Sequence, residues 1–434
     1  MIKAYHSQEI PYLDPLELFQ QLPLFDTIAF LHSSLEQDYA GKYSAIALFP
    51  VKKYQLNSFK EFESKVEIDE SLSSTYFSGG WITTFSYDLK NELEKLPKES
   101  NEHIKQKNIY CVQFGLYIFF NKRDKTCTVS YKDDSFFKQY QHLNLSLIKK
   151  VSFGIQTIKS NFTKKSYLNA VNTIKNYIFE GDIFEANLTR KFFGKFSKPV
   201  SGAQLFIDLI NRSPSQYSAF LKFDDFEIIS SSPERFIKIK NRTINSKPIK
   251  GTRPRGKSEK EDLALISELK LSEKDRAENL MIVDLVRNDI GKIAEIGSVI
   301  VPDLFKVESY ETVHQLVSTV EGKVDKKYSI VDAIKACFPP GSMTGAPKIR
   351  AMEICTEIET YKRGIYSGAI GYIGFDGYID LSVVIRSIIK KGKQFEFQVG
   401  GAIVSDSDPE AEFQETLDKA RAICSILDID ISTI

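Results

Sequence analysis

Cysteine is scarce and unpatterned in this 434-residue sequence. The five cysteines (Cys111, Cys127, Cys337, Cys355 and Cys424) are scattered, odd in number and never spaced C-x-x-C, which argues against a disulfide framework and a thiolate zinc site. An excess of either charge is also missing. Lys and Arg total 58 against 57 Asp and Glu, a net charge of +1, so the basic footprint of a nucleic-acid partner is absent. No apolar run approaches the roughly 18 residues that would span a bilayer. The opening residues, MIKAYHSQEIPYLD, lack the basic flank and apolar stretch of a secretory signal. The expectation is a cytoplasmic chain with no membrane partner. What is present, 42% hydrophobic and 26% charged residues, is the balance of a folded soluble protein. At about 150 residues per domain, the length allows one large domain or two ordinary ones.

From Asp26 to Pro50 the pattern predicts short strands around a loop, His32 to Lys42, and another apolar stretch begins at Gly79-Gly80-Trp81. Lys90 to Asn108 is dense in charge and reads as a solvated excursion. IYCVQFGLYIFF, closed by the turn residues 121–124, reads as a strand. Lys132 to Asn161 is weakly patterned and separates an N-terminal region, 1–140, from a catalytic region, 160–430, of what is expected to be one intertwined unit, 1–434. A helix is predicted over Lys164–Glu180, stopped by Gly181. Tyr366–Phe375, Tyr378–Lys390 and Gln394–Val404, joined by Asp376-Gly377 and Lys391-Gly392-Lys393, read as an antiparallel meander, since Asp-Gly tolerates the positive φ of a hairpin turn. The expected class is α+β.

GTRPRGKS, residues 251–258, satisfies the P-loop pattern, and Leu280–Asp284 resembles the apolar strand that would end in a Mg²⁺ ligand. A nucleotide hydrolase is therefore one reading. Its context argues against it, because the preceding INSKPIK is polar and interrupted by Pro248, unlike a central parallel strand. Ser272 and Asp275 also look like a capping box, which makes Leu280–Asp284 the interior of a helix that Gly291 ends.

On that helix Asp275 and Glu278 share a face. In SDSDPEAEFQETLDKARAI, Asp408 is placed to cap, Pro409 to open the helix, and Glu412 and Glu415 again lie three apart. Two such helices offer carboxylates for a hard cation, although solvated acidic faces share the pattern. SSPERF places Glu234 after an apolar run, and a hairpin would bring it to Lys250 in PIKGTRPRG. A lysine becomes nucleophilic when its pKa falls, and Arg253 and Arg255 are the nearby cations expected to lower it, unless they form a plain basic loop. In PPGSMTGAPK, Gly341, Thr344 and Gly345 precede Pro347 and would turn N–H groups toward an anion, or form a simple turn. Arg386, in an apolar strand, requires a carboxylate partner. Gly400 and Gly401 allow close approach of a ligand. His314 is either a donor to substrate or a satisfied core histidine.

Together SSPERF, PIKGTRPRG, DRAENLMIVDLVRNDIG, VHQLVS, PPGSMTGAPK, RGIYSGAIGYIGFDG and GGAIVSDSDPEAEFQETLDKARA resemble the chorismate-utilising family of anthranilate, aminodeoxychorismate, isochorismate and salicylate synthases. Ser33 in FLHSSL and the run GGWITTFSYD add a weaker N-terminal match. The resemblance implies an anthranilate synthase component I-like α+β fold, two packed antiparallel sheets with helices outside. It implies Mg²⁺ held by Glu278 and Glu415 with Asp275 and Glu412 in support, and carboxylates of chorismate held by Arg386, Tyr372, Thr344 and the backbone of Gly400 and Gly401. His314 would lie near the ring and Glu234 would act at the C4 hydroxyl. Lys250 stands where anthranilate synthases usually carry alanine and aminodeoxychorismate synthases of this type carry lysine, implying attack by Lys250 on C2 and amination at C4 on the route to 4-aminobenzoate and folate. Anthranilate synthesis is the alternative. Glu185 replaces a common glutamine, and His32 replaces an acid of the tryptophan site, which argues against tryptophan binding. No cysteine lies in a G-x-C-x-G turn, so ammonia is expected from a separate glutamine amidotransferase subunit.

Overall fold

The aromatic run IYCVQFGLYIFF forms the strand Ile109–Asn121, buried almost throughout, and this continuous burial marks a strand covered on both faces. It is the spine of a computed structural model that describes residues 5–23, 25–35, 42–72, 79–98, 101–148, 151–311 and 313–431. Positions 36–41 of the expected His32–Lys42 loop lie outside the described residues.

Two series of antiparallel strands leave this spine. One passes through Tyr43–Leu56, Thr27–His32, Tyr217–Phe223, Phe226–Ser232, Ser387–Lys391 and Gln394–Ile403 to Glu185–Phe196. The other passes through Gly80–Phe85, Ala369–Gly374, Ile379–Val383, Arg235–Lys240, Thr243–Ser246 and Val313–Lys323 to Ile249–Pro254. Their facing sides bury one core, with Ala47, Leu221 and Ile228 from the first series and Ile82, Ile373 and Leu381 from the second. Helices Pro15–Gln21, Gly202–Arg212 and Pro409–Leu427 cover the outer face of the first series. Lys164–Phe179 and Lys348–Glu359 pack on its terminal strand. Helix Glu273–Gly291 supplies Ile282, Val283, Val286 and Ile290 to the core shared with the second series. The α+β arrangement of two packed antiparallel sheets with outer helices matches the expectation, with the two sheets joined along the spine.

Two of the chain's crossings between the series are neighbours. Glu234 lies at the crossing from Phe226–Ser232 to Arg235–Lys240, and Arg386 at the crossing from Ile379–Val383 to Ser387–Lys391. Val383 N–H donates to the Glu234 carbonyl at 3.0 Å and Ser231 N–H to the Arg386 carbonyl at 3.2 Å, which stitches the crossings together. The single strand expected over Tyr378–Lys390 is therefore two, broken where Arg386 takes a positive φ of 49°. Lys90–Asn108 also departs from expectation. Lys90 and Ile104 are fully buried, and the Ile104 N–H donates to Glu396 at 3.3 Å, so this charged stretch is partly pinned into the fold. Lys132–Asn161 holds a helix, Asp134–Gln141, and a strand, Ile155–Ser160.

The helix predictions follow their caps. Ser272 accepts from the Asp275 N–H, and the helix runs Glu273–Gly291, placing Leu280–Asp284 in its interior. Asp408 accepts from the Ala411 N–H and Pro409 opens the last helix. Among the described residues no helix is long and apolar enough to cross a membrane.

One buried ion pair binds several of these parts. Arg363 meets Glu359 at 2.6 and 2.8 Å, and it also donates to the carbonyls of Met343 and Asn187, each at 2.7 Å. Glu359 in turn accepts from the Thr189 N–H at 2.9 Å. The guanidinium also stacks 4.4 Å from the Tyr87 ring centroid. Removing one partner of such a pair leaves an uncompensated buried charge, so Glu359→Ala is expected to cost about 3–5 kcal/mol in urea unfolding, and the double substitution Glu359→Leu/Arg363→Leu distinctly less.

Candidate active site

Lys250 lies on the last strand of the second series and reaches the last strand of the first. Its Nζ donates to Glu185 Oε1 at 2.8 Å and lies 3.9 Å from Glu278 Oε2. Only 12% of its side chain is exposed, against 1% for Glu185 and 17% for Glu278. Burial pulls the Lys250 pKa down, but the carboxylates of Glu185, Glu278 and Glu234 outweigh it and hold the ammonium above its ordinary value. This corrects the expectation that Arg253 and Arg255 depress it. Arg253 is paired with Glu268 at 2.7 Å and Asp275 at 3.0 Å, and Arg255 with Asp262 at 2.8 Å. The arginines answer to acids on neighbouring helices and do not surround the lysine.

Glu234 is brought near Lys250 by the hairpin of Arg235–Lys240 and Thr243–Ser246, whose turn residues Asn241 and Arg242 both have positive φ. Its surroundings are apolar, since Ile237, Ile282, Val286 and Val383 line the same recess. Burial pushes the Glu234 carboxyl up to about 7, with the Ser342 hydroxyl and the Lys250 charge opposing the rise. A carboxyl poised there is equipped for acid and base work near neutral pH.

The four expected metal carboxylates divide. Glu412 accepts from Ser407 Oγ at 2.7 Å, and its other oxygen, Oε2, is buried without a hydrogen-bond partner among the described residues. Gly401 faces it, and a Cβ at that position would sit 3.2 Å from Glu412 Oε2 and 3.4 Å from Glu415 Oε1. Glu415 pairs with Lys419 at 2.5 Å. Burial raises the pKa of both Glu278 and Glu412, and Lys274 is among the cations opposing the rise at each, so the two helices turn acids toward a common lysine. Asp275 is committed to Arg253. Among the described residues no three His, Cys, Asp or Glu side chains gather closely enough to hold a metal unaided.

The anion holders divide as well. Arg386 has no side-chain hydrogen bond or ion pair among the described residues. It is enclosed enough for desolvation to lower its pKa yet remains open to solvent, as a cation lining a concavity does. Gly345 and Ala346 pair with Ala186 and Glu185, and a Cβ on Gly345 would lie 2.2 Å from the Glu185 carbonyl oxygen, so only glycine permits this approach. Thr344 is buried, and its hydroxyl proton is committed to the Gly341 carbonyl at 3.0 Å, leaving acceptor lone pairs where a donor was expected. Gly400 pairs with Thr189 and its carbonyl accepts from Lys419 at 2.7 Å.

Two expected substrate contacts are not gathered here. His314 is fully buried with one ring nitrogen 2.9 Å from Asp262 and the other 2.8 Å from Ser309, the satisfied core histidine of the two readings. Tyr372 stacks on Tyr378 at 5.3 Å and lines a separate cavity of about 1270 Å³ between the sheets, which also takes in His32 and Ser33. The P-loop reading fails on geometry. Residues 249–254 form an antiparallel strand, and the N–H groups of Gly256 and Lys257 are taken by Asp262 and Glu261, each at 2.8 Å or less.

Sequence reasoning gave Glu185 no role and passed over Asn187 altogether. Glu185 Oε2, Asn187 Nδ2 and Glu412 Oε2 are all buried without a hydrogen-bond partner among the described residues. Buried polar groups are normally satisfied, so the two orphans two residues apart on one strand, Glu185 Oε2 and Asn187 Nδ2, stand out. The signal was in EANLTRK, where Glu185, Asn187, Thr189 and Lys191 alternate along the continuously buried first part of the strand.

The family model for chorismate binding enzymes matches residues 26–425. The chain belongs to this family. Among its relatives, aminodeoxychorismate synthase component 1 of Escherichia coli (strain K12) is 38% identical over 356 residues, 81% of this chain and 78% of that one. Anthranilate synthase component 1 of Aquifex aeolicus is 34% identical over 81% of this chain and 75% of its own length. Aminodeoxychorismate synthase of Streptomyces griseus is 47% identical over 266 residues, and the match spans 36% of that longer protein. Anthranilate synthase component I from Streptococcus pneumoniae has the same fold, with a TM-score of 0.81 at 28% identity over 97% of this chain and 99% of that one.

The raised Glu234 pKa has a stability consequence. Its folded value, about 7, exceeds the ordinary 4.5, so its contribution is complete below about 4.5 and is lost as pH rises through about 7. Glu234→Gln removes that dependence. The melting temperature of this variant relative to wild type is expected to rise between pH 5 and pH 8, by the equivalent of up to ~3 kcal/mol at about 1.36 kcal/mol per pKa unit.

Proposed function

We propose that this chorismate binding enzyme aminates chorismate at C4 to give 4-amino-4-deoxychorismate, as component 1 of an aminodeoxychorismate synthase. The observation that carries the reading is Lys250, a buried amine held against Glu185 and within electrostatic reach of Glu234. The resemblance implies alanine at this position in most anthranilate synthases and lysine in aminodeoxychorismate synthases of this type. Relatives named aminodeoxychorismate synthase component 1, 38% and 39% identical over about four-fifths of this chain, support the reading.

In this reading Lys250 forms a bond to C2 as the C4–O bond breaks, and Glu234 protonates the hydroxyl that leaves as water. The Lys250 ammonium must shed one proton before its nitrogen attacks, and that proton replaces the one that Glu234 gives to the leaving hydroxyl. Ammonia then forms the C4–N bond as the bond between C2 and Lys250 breaks, which frees the lysine. Arg386 is suited to a carboxylate of the substrate, having none of its own.

The carboxylates of Glu278, Glu412 and Glu415 fit Mg²⁺, which takes one or two carboxylates with waters and substrate oxygens and so does not need a cage built by protein alone. The buried, unpaired Oε2 of Glu412 beside Gly401 is the observation in favour. When bound, Mg²⁺ would supply positive charge for the ring carboxylate and for the charge that develops as the hydroxyl leaves. Ammonia would reach the site from a separate glutamine amidotransferase, and the "component 1" in the relatives' names agrees with a two-part enzyme. A cytoplasmic location completes the reading.

Chorismate incubated with the protein, Mg²⁺ and ammonium chloride is expected to give a product that keeps its enolpyruvyl group, identified by mass. Fluorescent anthranilate with released pyruvate would instead assign the chain to the anthranilate branch. Lys250→Ala is expected to melt like wild type while losing on the order of 10²-fold or more in amination, and unchanged turnover would remove Lys250 as nucleophile. Because Glu234 must be protonated to release the hydroxyl, kcat/KM for chorismate is expected to fall as pH rises through about 7.

A further inference from the structure

Helix Lys164–Phe179 buries Tyr167, Ala170, Val171 and Ile174 on one face, a stripe that phenylalanine would complete as well as tyrosine does. Tyr167 nevertheless carries a hydroxyl, sealed from solvent and without a hydrogen-bond partner among the described residues. A buried donor left unsatisfied is a liability to the fold, so its acceptor is to be sought in a loaded state of the protein. Glu412 and Glu415 both lie within electrostatic reach of the phenol. Glu412 Oε2 is the complementary orphan, an acceptor sealed in without a donor, since Ser407 serves the other oxygen.

Arg190 stands behind this pair. It lies on Glu185–Phe196, on the face opposite Glu185, and although it is buried no carboxylate pairs with it among the described residues. Its guanidinium lies 4.6 Å from the ring centroid of Phe192 and 4.7 Å from that of Phe413. Its Nε donates to Ser160 Oγ at 3.0 Å and its Nη1 to Thr416 Oγ1 at 3.4 Å. The Tyr167 ring also packs on Phe413, with centroids 5.9 Å apart. Phe413 and Thr416 belong to the buried stripe of Pro409–Leu427, and each directly follows one of the two acids. With roughly 3.6 residues per turn, Glu412 and Glu415 stand about 100° round the helix from that stripe, so a grip on Phe413 and Thr416 sets the direction in which both carboxylates point.

We propose that Tyr167 is a positioning residue for Mg²⁺, its hydroxyl donating to Glu412 Oε2 in the loaded protein, with Arg190 fixing the turn of helix on which Glu412 and Glu415 stand. The inference rests on the reading of those glutamates as Mg²⁺ holders and deepens it. A carboxylate oxygen has two lone pairs, so a bond from Tyr167 leaves one for the cation. Carboxylates that bind metals are themselves aimed by hydrogen bonds from an outer layer of residues, and loss of one such partner costs ~10–100-fold in metal affinity.

The test is titration of Mn²⁺ into wild type and Tyr167→Phe with chorismate present and ammonium absent, free Mn²⁺ being read by electron paramagnetic resonance, beside thermal melts in EDTA. The expected result for Tyr167→Phe is a Mn²⁺ Kd raised about 10-fold. The MgCl₂ needed for half-maximal turnover is expected to rise in step, while KM for chorismate at saturating MgCl₂ stays within about twofold of wild type. The variant is expected to melt in EDTA at or above the wild-type temperature, because the hydroxyl it lacks has no partner without the cation. Arg190→Lys, which keeps the charge but loses the flat face and fork of the guanidinium, is expected to weaken Mn²⁺ in the same way. An unchanged Mn²⁺ Kd in Tyr167→Phe would overturn the proposal. So would a lowered melting temperature in EDTA, which would make the hydroxyl a plain support of the metal-free fold. Glu415→Gln is the control: wild-type protein binding Mn²⁺ no better than this variant would refute the metal reading itself, a failure distinct from one confined to Tyr167.

Discussion

A buried guanidinium holds the reactive end of this protein in register. Arg363 is locked to Glu359, and the same two side chains fasten the Met343 and Asn187 carbonyls and the Thr189 N–H. Those three backbone groups belong to the loop that carries Thr344 and Gly345 and to the strand that carries Glu185. The Lys250 pocket thus leans on an ion pair that makes no hydrogen bond to Lys250 itself. Burying such a pair costs desolvation, and here full hydrogen bonding and the Tyr87 ring offset it.

Geometry then explains why an amine and so many acids share one pocket. The two strand series part at Ile109–Asn121 and meet again at their far ends, where Glu185 closes on Lys250. Glu234 and Arg386 stand at the crossings between the series, where a strand must turn and a side chain is released from the pleat. The site is therefore a seam between sheets, and the residues along it, from Glu185 to Arg386, come from segments far apart in the chain.

Much of this was legible in the residues. The caps at Ser272 and Asp408 fixed both acidic helices, and Asp376-Gly377 fixed a turn, with Gly377 at a φ of 78°. Local chemistry decides such features, so a local reading finds them. The errors came from partners distant in sequence. Arg253 and Arg255 are near Lys250 along the chain, but they bond to acids of the helices packed on that strand. His314 takes the core-histidine alternative, bonded to Asp262 and Ser309, and Tyr372 stacks on Tyr378, partners that no short window contains. Arg386 looked like part of an uninterrupted apolar strand because nothing in LSVVIRSIIK announces the positive φ at its centre. Asn187 went unnoticed since its neighbours, not its own type, leave its amide unpaired.

The order of strands also bears on how the chain is made. Gly80–Phe85 pairs on one edge with the spine soon after synthesis, but its other edge awaits Ala369–Gly374. At about 5–20 residues per second, a ribosome takes roughly 15–60 s to reach that partner. Through that interval a hydrophobic edge, Gly-Trp-Ile-Thr-Thr-Phe, stands open to any passing strand. Nascent copies of this enzyme thus have a long window in which to pair wrongly.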